Sequence, residues 1–370
     1  MKLIKLPTKT AIRYGSLWSG LSDSVCPPGT LFINRGVIET ENNGRAPQTL
    51  DLSSYTLLPA LIDCHVHLML PYNDNEASPA LRARNLLHTG VAAVRDAGSQ
   101  KPWQQIPELT VTHTGYAITK KGYYGENLGI AVDGLTEACR LIDTLAARGV
   151  SQIKLIASGI FSFSHYGKIG SLPFSEDELS TLVSHAAANG LPVMAHASGD
   201  IAVQHCLHAG IRCIEHGYFT SRETLKKMAS MGAYWVPTLA PVAAWLENPG
   251  LLASLSVKQK QVIRLTLNRQ QEMVAQAGLL GVRIGAGTDA GAPGVPHGPS
   301  LLREMELLFA SGLARQDVLK AATSTAAEIC GLPDYGALAA GKKAAILAVS
   351  GNPAADLNVL HAPNCLLLPS

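Results

Sequence analysis

Leu61-Ile62-Asp63-Cys64-His65-Val66-His67 is an apolar run that ends on two imidazoles one residue apart. Four later stretches are written the same way. Ile153-Lys154-Leu155-Ile156 carries a lysine, Val193-Met194-Ala195-His196 and Cys213-Ile214-Glu215-His216-Gly217 stop on histidines, and Val282-Arg283-Ile284-Gly285-Ala286-Gly287-Thr288-Asp289 stops on a carboxylate. A buried strand that ends on a polar side chain and then a loop is the pattern of a (β/α)8 barrel, whose chemistry gathers where the strands end. The expected fold is therefore α/β, a (β/α)8 TIM barrel with a small β-sandwich module formed by the N- and C-terminal segments.

Working outward, strands are expected at Val91 to Arg95, Leu109 to Ile118 and Tyr234 to Leu239, which completes eight with the five above. Helices are expected at Pro79 to His88, Leu135 to Arg148, from the N-cap Ser175 to Asn189, and Asp200 to Ala209. Such alternation argues for parallel βαβ units. Before the barrel, Leu31 to Ile38 reads as a hairpin turning at Asn34 to Gly36, and after it Ala344 to Val349 reads as a strand returning to the N-terminal ones. This divides the chain into residues 1–58 and 336–370, which form the β module, and 59–335, which form the barrel.

Composition narrows the function. The chain has 370 residues, 47% of them hydrophobic and 16% charged, with a net charge of +2. No basic stripe is present, so nucleic acid is not the expected partner. The start, Met1 to Pro7, does not read as a signal peptide, and no run has the length of a membrane span. Seven scattered cysteines without a CxxC pair read as reduced thiols, which suggests a cytoplasmic protein. The expected partner is a small-molecule substrate, and homo-oligomerisation is left open.

Alternate residues of a strand share a face, so His65 and His67 point the same way and can hold one divalent ion. Imidazole and carboxylate suit zinc, which adds Asp289 to the set. His196 and His216 close neighbouring strands and can hold a second ion. Lys154 stands where two cations would need an anion between them. As an ammonium it would be repelled, but its neutral amine can add carbon dioxide to give a carbamate with one oxygen for each metal.

These segments, with Gly90 to Gly98, Gly287 to Gly291, Ala321 to Ala327 and Gly341-Lys342, resemble the amidohydrolase superfamily. The similarity is to its binuclear branch with a carboxylated lysine, and within that to prolidase-like and imidazolonepropionase-related members. It spans nearly the whole chain, although Ala60 stands where the family usually has glycine. The resemblance implies that His65, His67 and Asp289 bind the more buried metal, that His196 and His216 bind the more exposed one, and that Lys154 bridges. It also implies hydrolysis of a C–N amide bond in a peptide, N-acyl amino acid or cyclic amide. A hydroxide bridging the metals attacks, and Asp289 is the general base and then acid. The alternatives are a deaminase, against which Lys154 argues, and an ester or lactone hydrolase using the same site.

Three more residues are candidates for substrate binding. His297 follows Asp289 in a Gly/Pro-rich loop and is expected to reach over the metals, with an exposed loop side chain as its plainer reading. Tyr123 and Tyr124 follow the third strand, where the plainer reading is an aromatic lid. Glu215 is read as structural, facing away from His216. His88, His113, His185, His205, His208 and His361 are read as surface or helix-packing residues.

Overall fold

Strands buried on both faces read as continuous apolar runs, and such runs pair in parallel. Leu61–Val66, Val91–Asp96, Ile153–Ile156, Val193–Ala197 and Cys213–His216 are buried at every position. A computed structural model describes residues 1–41, 48–70, 78–99, 101 and 104–369 and arranges these runs in two parallel sheets. One orders Gly129–Val132, Ala117–Lys120, Ile153–Ile156, Val193–Ala197, Cys213–His216, Tyr234–Val236 and Arg283–Ile284 side by side; the other orders Leu61–Val66, Val91–Asp96 and Thr110–His113. The chain is thus a mixed α/β protein with parallel sheets.

Single hydrogen bonds run between the edges of the two sheets. On one side Cys64 N–H donates to Ala286 O (2.9 Å), His67 N–H to Ala290 O (2.8 Å) and Asp289 N–H to His65 O (2.7 Å). On the other, Thr114 N–H donates to Asp96 O (3.2 Å) and Ser151 N–H to His113 O (2.9 Å). The expected third strand is broken into Thr110–His113 and Ala117–Lys120, each half serving a different sheet. The expected eighth is regular only over Arg283–Ile284. Beyond it the chain leaves strand geometry, reaching φ 55° at Asp289. Gly287 lies so close to the first strand that a Cβ there would stand 2.9 Å from His65 Cβ.

The terminal segments do meet. Ile346–Val349 pairs antiparallel with Gln48–Pro59, and Cys365–Pro369 pairs parallel with Lys2–Leu6. The hairpin falls where its turn signals put it, with Gly29–Asn34 against Val37–Glu39. With Lys9–Trp18 and Val25–Cys26 these six strands make one eight-stranded hydrogen-bonded sheet where a sandwich was expected, and its buried side includes Leu6, Ile12, Leu57, Ile346 and Leu367.

Helix signals carried equally well. Ser175 and Glu178 form a reciprocal capping box at the start of Glu176–Ala188. Sequence reading assigned nothing between Leu239 and Leu280, which folds as Leu239–Glu247, Pro249–Ser254 and the long Val257–Leu280. No described helix is long and apolar enough to cross a membrane.

A buried polar strut crosses the parallel strands. Arg95, fully buried, donates from Nε to Cys64 O (2.6 Å) and from Nη2 to Glu215 Oε1 (2.8 Å). Removing one partner of a buried pair leaves an uncompensated charge, which typically costs about 3–5 kcal/mol. Arg95→Met should lower the unfolding free energy from urea titration by that order and move the midpoint down with it, and adding Glu215→Leu should recover most of the loss. If Arg95→Met alone left the midpoint unchanged, the strut would not be stabilising the fold.

Candidate metal centre and the cavity beside it

Strand register determines which side chains can meet. His196 lies opposite Glu215, and Ala197 opposite His216. Partners in a parallel pair point to the same face, so Glu215 shares the inner face with His196. Lys154 lies opposite Met194, two residues before His196, and joins that face. His216 should then point outward. It returns to the group because its own backbone turns left-handed, at φ 66°. Asp289 and Thr238 also adopt left-handed backbone, at φ 55° and 47°. Such conformations are costly for a residue with a side chain and collect at functional sites.

The result is a cluster of four imidazoles. Ring centroids of His65 lie 5.3 Å from His67 and 5.0 Å from His216, and His196 lies 4.6 Å from His216. Asp289 Oδ1 approaches His67 Nε2 at 3.1 Å and His65 Nε2 at 3.6 Å. One donor atom from each of His65, His67 and Asp289 lies within 4.8 Å of the others, so the three could hold a metal ion. His65, His67, Lys154, His196, His216 and Asp289 together line one cavity.

Three of the four rings are oriented through Nδ1, whereas His196 places Nε2 3.4 Å from Gly159 O. His65 Nδ1 lies 2.6 Å from Glu215 Oε2, His67 Nδ1 2.6 Å from Gly98 O, and His216 Nδ1 2.6 Å from Thr238 Oγ1. These contacts leave the Nε2 atoms facing inward, as orienting partners of metal-bound imidazoles do. His65 Nε2 is buried with no hydrogen-bond partner, an orphan acceptor that a cation would satisfy. Glu215 is therefore structural, as read from the sequence, but through contact with His65 rather than by facing away.

Electrostatics agree with this donor set. Burial pushes His65 and His216 well below the usual imidazole range and His196 to about 3, with nearby positive charge, including Lys154, adding to the effect. Neutral imidazole is the form that binds metal. His67 runs the other way: burial opposes its charged form, but hydrogen bonding and attraction to Asp289 raise its pKa overall. Burial also brings the Lys154 ammonium down to about 8.

Supports that the sequence reading missed lie around this group. Asp63 accepts from Thr288 Oγ1 (2.7 Å) and Thr288 N–H (3.0 Å), anchoring the residue before Asp289. Glu304 accepts from Leu239 N–H (3.0 Å) and Ala240 N–H (2.7 Å), capping the helix that follows Thr238. Nothing in local sequence flags Glu304, which lies 65 residues from Leu239. Asp63, by contrast, could have been singled out as a carboxylate inside an apolar strand.

The substrate-binding candidates separate. Tyr124 lies 5.0 Å from His196, centroid to centroid, and lines the cavity. Tyr123 is 38% exposed and faces a neighbouring hollow with Lys121. His297 is fully buried, and neither cavity that borders the cluster includes it. It precedes the helix Pro299–Ala310, and Val295 beside it is equally buried, so this loop packs inward. The plainer reading of His297 as an exposed loop residue does not hold. Of the remaining histidines, His185, His208 and His361 make surface contacts with Asp143, Glu176 and Glu306.

Known proteins share both the sequence pattern and the fold. A protein of Mycobacterium tuberculosis is 28% identical over 98% of this chain and 96% of its own length. Ochratoxinase from Aspergillus niger is 27% identical over 76% of this chain and 58% of its own length. The crystal structure of a Xaa-Pro dipeptidase with bound methionine superposes with a TM-score of 0.84 at 23% identity, covering 97% of this chain and 98% of that one. The amidohydrolase family model matches residues 56–367. With that match spanning most of its length, the chain belongs to the amidohydrolase family and is a hydrolase acting on carbon–nitrogen bonds.

Proposed function

We propose that the chain is a binuclear, zinc-dependent amidohydrolase that cleaves the C–N bond of a small amide. The observation that carries this reading is the convergence of four imidazoles, Asp289 and Lys154 on one cavity, with His65 Nε2 buried and unpartnered. In this reading His65, His67 and Asp289 would hold one ion and His196 and His216 a second, and a carbamate on Lys154 would supply the anionic oxygens that two neighbouring cations need. The pKa of about 8 at Lys154 supports that step, since only the neutral amine adds carbon dioxide. Divalent ions bound there would polarise the substrate carbonyl and make water acidic enough to ionise near neutral pH.

The chain's own groups do the rest. Glu215 and Thr238 fix the tautomers and tilts of His65 and His216. Asp289 is 21% exposed and turned toward the cavity by its left-handed backbone, so its carboxylate can take a proton from water and return it to the leaving nitrogen. A mononuclear deaminase has no use for a lysine among the ligands. We further propose that the two parallel sheets close into a (β/α)8 barrel, a reading supported by the hydrogen bonds along both seams.

Metal-loaded protein should cleave members of a panel that spans dipeptides, N-acyl amino acids, cyclic amides and uncharged aryl-bearing amides, and silence across the whole panel would count against amide hydrolysis. Asp289→Asn should slow turnover about 10²–10⁴-fold, the usual worth of proton transfer in general acid–base catalysis. Turnover near wild type would require another base. With ¹³C-labelled bicarbonate the native protein should give a carbamate carbon resonance that Lys154→Ala lacks. An identical spectrum from the variant would remove Lys154 from the proposed site.

A further inference from the structure

We propose that the substrate is an uncharged amide bearing an aromatic or comparably bulky apolar group, not a dipeptide or N-acyl amino acid with a free carboxylate. The proposal rests on the hydrolase reading for which bond is cut; the evidence for the ligand class comes from the cavity walls.

A cavity of about 250 Å³ opens beside the cluster and shares His196, His216 and Asp289 with it. Its far wall is aromatic: Phe161, Phe163, Tyr218 and Trp245. The first two come from the loop after the strand that carries Lys154. That loop folds as a hairpin, with Ser162 N–H donating to Lys168 O (2.8 Å), Gly170 N–H to Ile160 O (3.0 Å), and Phe161 opposite Ile169. The rings are locked against one another. Phe161 stacks on Phe163 at 5.2 Å and meets Tyr218 edge-on at 5.0 Å, and Phe163 meets Trp245 edge-on at 5.0 Å. The Tyr218 hydroxyl donates to Thr238 O (2.9 Å), so this residue contributes mainly its ring to the wall. A pre-assembled aromatic wall binds apolar groups without first having to be ordered. Because an apolar cavity of about 150 Å³ already takes a benzene ring, the space here suits a ring and a short chain.

Charge points the same way. Among the described residues lining the two cavities that border the cluster, Lys154 is the only lysine or arginine. It is 1% exposed and already assigned between the metal sites. Lys121 borders a neighbouring hollow and is tied to Asp133 at 2.8 Å, and Lys168 borders another. Of the segments outside the described residues, 71–77, 100, 102–103 and 370 hold no Lys or Arg, and 42–47 holds Arg45 alone. A carboxylate held against the aromatic wall would lose its water without gaining a lysine or arginine partner there.

Uncleavable ketones separate ligand class from catalysis. Calorimetric titration of the metal-loaded protein with benzylacetone, butanone and para-carboxybenzylacetone should find benzylacetone bound about 10-fold or more tightly than either other ketone. Phe163→Ala should erase the advantage over butanone, and Trp245→Arg, which adds a cation to the wall, should shift preference toward the carboxylated ketone. That gain cannot come from misfolding. Equal or tighter binding of the carboxylated ketone to the native protein would overturn the proposal, as would a full phenyl preference surviving in Phe163→Ala. If benzylacetone binds as expected while N-benzylacetamide is not cleaved, the ligand class stands and the hydrolase reading of the site fails.

Discussion

The carboxylate of Glu215 accepts from Arg95 on one oxygen and lies against His65 on the other, at 2.8 and 2.6 Å, with all three side chains buried. A buried anion of this kind persists only if its charge is balanced and its lone pairs are used. Arg95 supplies the charge and also grips Cys64 O, so the strand that carries His65 is tied to the same guanidinium. His65 in turn must present Nε2 to the cavity, since its Nδ1 is taken. The interaction that balances the interior thus also sets the direction of a candidate metal ligand.

Around that contact, geometry is obtained by departing from regular strands. Register alone would send His216 away from His196, and regular strand geometry would not hold Asp289 where its N–H meets His65 O. Left-handed backbone at His216, Thr238 and Asp289 corrects all three positions. Those conformations are held by neighbours: Thr238 by the helix that Glu304 caps, and Asp289 by the Asp63–Thr288 bonds. Strain at the site is offset by hydrogen bonds one layer further out.

Much of this was legible in the sequence, because the informative signals are local. Apolar runs ending on His65, His67, His196, His216 and Asp289 announce both the parallel strands and the group at their ends, and Ser175 with Glu178 announces its helix. What was not legible depends on distance. Arg95 and Glu215 are 120 residues apart, and Glu304 and Leu239 are 65 apart, so no periodicity links them. The inward face of Glu215 was misjudged because strict alternation was applied through His216, where the backbone leaves the strand. His297 looked from its Gly and Pro neighbours like a loop side chain free to reach over the metals or into solvent, but tertiary packing buries it. The aromatic hairpin carries no motif at all; its meaning appears only when Phe161 and Phe163 meet Tyr218 and Trp245.

The central claim is that this cluster holds two metal ions. Elemental analysis of freshly purified, active protein tests it most directly, combined with stepwise removal by a chelator while amide cleavage is followed. The account predicts close to two divalent ions per chain, with activity lost as they are withdrawn and recovered when zinc is restored. Active protein containing one ion or none, or activity indifferent to chelation, would contradict it.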